Sequence, residues 1–218
     1  MLNITIRNET KSDFGKVEIL TRKAFWNVNV PGCDEHYIAH ILREHEDFIP
    51  ELDLVAETED GEIVGNVMYT KARLADENGS ELSILTFGPI SVHPDYQRMG
   101  ISRKLLEFSF HRAIDLGHKI IVIFGNPDNY VSRGFKSCKK YNICMTDGRY
   151  PAAMLVKELV PGTLNGRKWF YHESPAYEFE RSDAEKFDEL FEPMKKEFRP
   201  SQEEFYIHSH SIIQDCLC

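Results

Sequence analysis

Apolar and polar positions alternate through Asn3-Ile-Thr-Ile-Arg7 and then change period. Alternation of that kind predicts a half-buried strand. Behind Ser12-Asp13, a pair suited to capping a helix start, Val17, Leu20, Ala24 and Phe25 recur at helical spacing. Pro31-Gly32 ends that helix. A second one opens at Asp34, turns Ile38, Ile41 and Leu42 inward and stops near Glu46. Leu52–Thr58 and Glu62–Ala72 flank Asp60-Gly61, a two-residue hairpin signal. A longer turn over Ala75–Gly79 leads into Leu82–Val92, so three antiparallel strands form a meander.

A glycine-containing turn follows, and then an amphipathic helix. Leu105, Leu106, Phe110, Ala113, Ile114 and Gly117 share one side, and Arg103, Lys104, Glu107, His111 and Asp115 face water. Ile120–Phe124 is an apolar, β-branched run bounded by Gly125-Asn-Pro127, which predicts a buried strand. The order βααβββαβαβ predicts a mixed α/β (α+β) sandwich with a central, mostly antiparallel sheet flanked by helices. Trp169-Phe-Tyr171 adds an edge strand. Beyond it the pattern changes: Ser182 or Asp183 caps a helix through Phe187, Leu190 and Phe191 that Pro193 interrupts. Phe198 to Cys218 reads as an irregular docking tail with a short terminal helix. The expected division is one domain over residues 1–172 and an extension over 173–218 packed on it.

Composition narrows the function classes. A net charge of -9 argues against nonspecific nucleic-acid binding. No apolar stretch approaches the ~18 residues that a membrane span needs, and the first residues lack the pattern of a signal peptide. Five cysteines without zinc-type pairing fit a reducing cytoplasm. Cys216-x-Cys218 reads as incidental thiols rather than a reactive pair. His36, His40 and Glu44 recur on one helix face, and they read as a solvated stripe rather than a metal site; His208-x-His210 makes a weaker ligand pair still. No metal is expected. No Gly-x-Gly-x-x-Gly follows a strand, which makes Rossmann-type binding a poor competitor, and no Walker-type loop is present.

The richest chemistry lies in Gly88-Pro-Ile-Ser-Val-His-Pro-Asp-Tyr-Gln-Arg-Met-Gly-Ile-Ser-Arg-Lys-Leu-Leu106. A strand feeding such a turn at a helix start aims free N–H groups and the helix dipole outward, which suits a phosphate. Taken alone, the turn fits an ordinary strand–helix corner better. Val92-x-Pro94-x-Tyr96-Gln97-Arg98-x-Gly100-Ile101 resembles the signature of the GNAT superfamily of acetyl-CoA-dependent N-acetyltransferases, Arg/Gln-x-x-Gly-x-Gly/Ala, with Ser102 in the last place. Tyr130-x-x-x-Gly134-Phe135 resembles the family's second motif. Leu155-Val-Lys-Glu-Leu-x-Pro-Gly-x-Leu-x-Gly166 is similar to the closing strand and turn of small, uncharacterised bacterial members.

The resemblance implies a GNAT-like acyl-CoA N-acyltransferase fold and an acetyl-CoA cosubstrate. Gln97, Arg98, Met99, Gly100, Ile101, Ser102 and Arg103 would hold its diphosphate. Ile90, Ser91 and Val92 would pair with its pantetheine where the sheet splays at Gly88-Pro89, and Ile90 N–H would face the reacting carbonyl. Tyr130 would be the general acid. Asn126 would hydrogen-bond the pantetheine arm, or simply form a turn. The place of the usual strand acid is taken by Pro89, so the base stays open among Asp34, Glu35 and His36, each of which reads more readily as a charge at a helix start than as a catalyst. A small-molecule amine is the first choice of acceptor, and a protein N-terminus or lysine the second. It would attack directly in a ternary complex on a monomer or homodimer. The rival reading is a CoA-binding sensor without turnover.

Overall fold

The computed structural model describes residues 3–214; Cys216 and Cys218 lie outside the described residues. The opening alternation becomes β1 (Ile4–Asn8), followed by helices α1 (Phe14–Phe25) and α2 (Glu35–Leu42). The meander is β2 (Leu54–Thr58), β3 (Ile63–Ala75) and β4 (Glu81–Val92), and the amphipathic helix is α3 (Ile101–Asp115). Then come β5 (Ile120–Phe124), the single turn α4 (Pro127–Tyr130), β6 (Lys136–Ser137), β7 (Ile143–Cys144), β8 (Met154–Glu158) and β9 (Trp169–His172). Helices α5 (Arg181–Asp188) and α6 (Pro200–His210) complete the described chain.

Among the described residues nine strands form one sheet in the order β1-β2-β3-β4-β5-β8-β6, with β9 beside the far end of β3 and paired to β7. Only β4–β5 and β7–β9 run parallel, so the sheet is mostly antiparallel. Alternation sorts its side chains between two helical layers. Leu54, Ala56, Val67, Tyr69 and Leu85 meet Leu105, Leu106 and Ala113 of α3. Val55 and Ile63 meet Val17 and Leu20 of α1, while Met68 meets Ala39 and Leu42 of α2. Gly65 permits the close approach of α3: a Cβ there would lie 2.9 Å from Ile101 Cγ2 and 3.2 Å from Ser91 O.

Several expectations are corrected. Ile114 is 42% exposed, because the buried stripe of α3 runs through Ile101, Leu105, Leu106, Ser109, Phe110 and Ala113 and leaves Ile114 on its flank. Asp13 does not cap α1; its carboxylate accepts from Thr10 N–H at 2.9 Å and pairs with Arg7 at 2.7 Å. Ser182 and Asp183 lie inside the first turn of α5, which follows Glu180, and the helix ends at Asp188 before Leu190 and Phe191. The supposed irregular tail is largely α6, an eleven-residue helix with proline in its first turn.

His36 is fully buried, not part of a solvated stripe. The cause is the C-terminal extension, which docks on α1 and α2. Phe187 and Phe191 pack on the imidazole at 5.5 and 5.4 Å, and Asp188 Oδ1 lies 3.2 Å from its Nε2. Asp188 also takes two hydrogen bonds from the Arg22 guanidinium, at 2.7 and 3.2 Å, while Arg22 covers the Trp26 ring. Trp26 Nε1 and Asn27 Nδ2 both donate to Lys195 O at 2.9 Å. Gln202, at the start of α6, donates to Asn27 O at 3.1 Å.

Candidate active site

Two adjoining cavities meet at Tyr130. The larger, about 680 Å³, runs along β4 and the start of α3. The smaller, about 470 Å³, lies between α2, the Gly88-Pro89 segment and α6. Phe25, Ile90, Asn129 and Tyr130 line both.

The larger cavity exists because β4 and β5 part company. They pair only at Leu85↔Ile121. Further along, Gly88 and Pro89 together oppose the single residue Met68, since Val67 pairs with Ile90 and Tyr69 with Phe87. Two residues against one is a β-bulge, which bends and twists its strand. His93 N–H donates to Val64 O at 2.9 Å, and antiparallel pairing alternates along a strand. Ile90 and Val92 therefore turn their backbone groups toward the open edge, where Gln97 Nε2 reaches Val92 O at 3.3 Å. Ser91 faces the other way: its backbone is in register with Asn66, and its hydroxyl donates to Thr21 Oγ1 at 3.0 Å.

At the cavity's other end the chain turns sharply before α3. Arg98 has φ +61 and Gly100 φ +83, conformations that L side chains seldom adopt and that fold the loop back on itself. Tyr96 Oη pins the loop by donating to Glu62 at 2.8 Å. Gly100 brings no side-chain cap to α3, so the first N–H groups of the helix have no partner within it and face the cavity. Gln97, Arg98, Gly100, Ile101, Ser102 and Arg103 all line it; Met99, 57% exposed, and Ser91 do not. A polyanion fits such a concavity of N–H donors at the positive end of a fifteen-residue helix dipole.

Tyr130 is held by aromatic packing and by a glycine. Its ring lies 5.8 Å from both Phe87 and Phe135. A Cβ on Gly125 would come within 2.5 Å of Tyr130 Cε2, so the ring occupies space that only glycine leaves free. Burial pushes the Tyr130 hydroxyl up to about 12, partly offset by Arg133, so it stays protonated around neutrality. Asn126 faces the smaller cavity, and its Oδ1 accepts from Asp128 N–H at 3.0 Å to start α4.

Of the three residues left open as bases, Glu35 alone lines a cavity. Its carboxylate accepts from Asn29 Nδ2 at 2.8 Å and from Asp34 N–H at 3.2 Å. Burial raises its proton affinity above that of an ordinary glutamate, and those hydrogen bonds oppose the shift. His36 is enclosed under α5, where burial lowers its imidazole to about 4 and keeps it neutral.

Sequence reasoning missed Arg133, three residues beyond Tyr130 in the larger cavity, and Tyr177, whose hydroxyl donates to Gly88 O at 3.0 Å beside the smaller one. Nor did it single out the individual residues of the wall that α6 provides. Ser201, Glu204, Phe205, His208 and Ser209 line the smaller cavity, and their spacing is that of one helical stripe. The polar character of that stripe was the available signal. Among the described residues no helix is long and apolar enough to cross a membrane, and no group of three or more His, Cys, Asp or Glu side chains gathers as a metal site.

Comparison with known proteins agrees with this geometry. The family model described as an acetyltransferase (GNAT) domain matches residues 5–138. The Escherichia coli K12 protein named uncharacterized N-acetyltransferase YhbS is 28% identical over 162 residues, 74% of this chain and 90% of its own. A second protein of that strain, uncharacterized N-acetyltransferase YjhQ, is 30% identical over 117 residues, 54% of this chain and 60% of its own. The crystal structure of Escherichia coli YhbS in complex with CoA superposes with a TM-score of 0.69 at 23% identity, covering 81% of this chain and 93% of that one. A GNAT family acetyltransferase from Brucella melitensis, in complex with acetyl-CoA, superposes with a TM-score of 0.63 at 22% identity, covering 82% of this chain and all of that one.

Proposed function

This chain belongs to the GNAT family of acetyltransferases, and from that premise we propose that it moves an acetyl group from acetyl-CoA to a small-molecule primary amine in a ternary complex. The observation that carries the reading is the junction at Tyr130. One cavity offers a polyanion its N–H donors and the basic side chains of Arg98, Arg103 and Arg133, the other offers an amine a carboxylate, and the two share Ile90 and Tyr130.

Acetyl-CoA supplies the thioester whose carbonyl carbon the amine attacks. Backbone donors of the Gln97–Arg103 turn hold its diphosphate, and the open edge at Ile90 and Val92 pairs with its peptide-like arm. Ile90 N–H donates to the carbonyl oxygen as negative charge develops there, and a donor of this kind is worth about 3 kcal/mol of barrier. Glu35 accepts the proton that the amine gives up, directly or through a water. As the C–N bond forms and the C–S bond breaks, Tyr130 Oη–H protonates the departing sulfur.

Incubation with acetyl-CoA and a panel of amines, with free thiol as readout, tests the reading. Amine-dependent release of thiol is expected, and Tyr130→Phe should lower kcat by about 100-fold, the lower end for loss of a general acid. Saturable acetyl-CoA binding with no amine-dependent release, unchanged in Tyr130→Phe, would instead support the sensor.

A further inference from the structure

The two cavities are sorted by charge. The charged side chains that line the larger are Arg98, Arg103 and Arg133, all basic. In the smaller no lysine or arginine takes part, and the carboxylates are Glu35 on α2 and Glu204 on α6. Apolar and aromatic groups make up much of the remaining wall, among them Phe25, Ile38, Phe87, Phe124 and Tyr177. About 470 Å³ is within the range of small-molecule sites.

Helix α6 strengthens the point, because its polarity is inverted. A helix docked on a protein ordinarily turns its apolar stripe inward. Here Ser201, Glu204, His208 and Ser209 join Phe205 on the cavity side, while Tyr206 and Ile207 are 57% and 54% exposed. Glu204 has no basic partner among the described residues, so its carboxylate is free to meet a ligand. Glu35 is already engaged by Asn29 and by a backbone N–H, and the acetyl-transfer reading gives it the attacking nitrogen. A second carboxylate on a different wall has no part in that step.

Resting on the acetyl-transfer reading, we propose that the acceptor is a diamine-type small molecule, a primary amine whose apolar body carries a second cationic centre, and that Glu204 reads this second centre. The attacking nitrogen gives its proton to Glu35, while the distal one stays charged beside Glu204 and the chain between them lies against the aromatic wall. An acceptor bearing a carboxylate in place of the second cationic centre would set like charges together beside Glu204 and is disfavoured.

Steady-state kinetics of the full chain with matched series of alkyl monoamines, α,ω-diamines and ω-amino acids tests the proposal. The expected order of kcat/KM is diamine, then monoamine, then amino acid. Glu204→Gln, an isosteric change at an exposed site, should raise the KM for the preferred diamine about tenfold, the equivalent of one charge-assisted hydrogen bond. The KM for a matched monoamine should move far less. Glu204→Lys should shift preference toward the ω-amino acid. A monoamine as good as the diamine, or an equal effect of Glu204→Gln on both, overturns the proposal while acetyl transfer stands. If no amine releases thiol, the acetyl-transfer reading fails first, and calorimetry of the diamine on CoA-loaded protein decides the rest. Binding weakened by Glu204→Gln would keep the cation site; binding absent or unaltered would remove it.

Discussion

Glu35 carries two opposed demands. Burial favours its neutral form, and the hydrogen bonds from Asn29 and Asp34 favour the ionised form that a base requires. Because burial prevails, the carboxyl takes up its proton at a higher pH than a free glutamate. In the proposed mechanism kcat/KM therefore falls as pH drops through that raised value, and the acid limb lies above the ordinary carboxylate range. Glu35→Gln should lower kcat by about 100-fold and flatten the limb, as a pH–rate profile would record. A limb that survives the substitution would place the base elsewhere. Tyr130, pushed up to about 12, makes no alkaline limb near neutrality.

At the scale of elements, the site depends on short stretches of backbone that make room. The Gly88-Pro89 bulge bends β4 beyond its single pairing with β5, and Gly125 leaves the gap that the Tyr130 ring fills. Gly125→Ala would put a methyl 2.5 Å from that ring, so the ring must swing away from the junction. The expected loss is at least about tenfold in kcat, with about 1–3 kcal/mol of stability lost to overpacking, and a smaller change in KM for acetyl-CoA. Kinetics and thermal melts together would separate the two effects. These elements were legible because local chemistry fixes them: β2, β3, β4, α3 and β5 follow from periodicity, and the kink from a Gly-Pro pair. The burial of His36 was not legible, since Phe187, Asp188 and Phe191, which enclose it, lie more than 150 residues away in sequence and no local pattern announces them. Asp13 was misread for a different, local reason: Arg7 and Thr10, close by in sequence, take the carboxylate that a helix cap would have used.

For the whole molecule, the question is how firmly the C-terminal extension is fastened. Its anchor is buried Arg22 and His36 with half-buried Asp188 between them, and His36 is held neutral at about 4 against an ordinary 6.5. The unfolded chain binds this proton between those values and the folded one does not. Stability contributed here is therefore full above pH 6.5 and declines as pH falls toward 4, by up to about 3 kcal/mol. Melting curves over that window should show a steeper decline in the natural chain than in His36→Leu, and equal slopes would sink the assignment. The extension also supplies the outer wall of the proposed amine pocket, built from the face of α6 that holds Ser201, Glu204 and His208, while the groove proposed for the acyl donor comes mainly from residues 90–133. Selection for a new acceptor thus has a small target. In the proposed mechanism, drift along one stripe of α6 would change what is acetylated and spare the machinery that delivers the acetyl group.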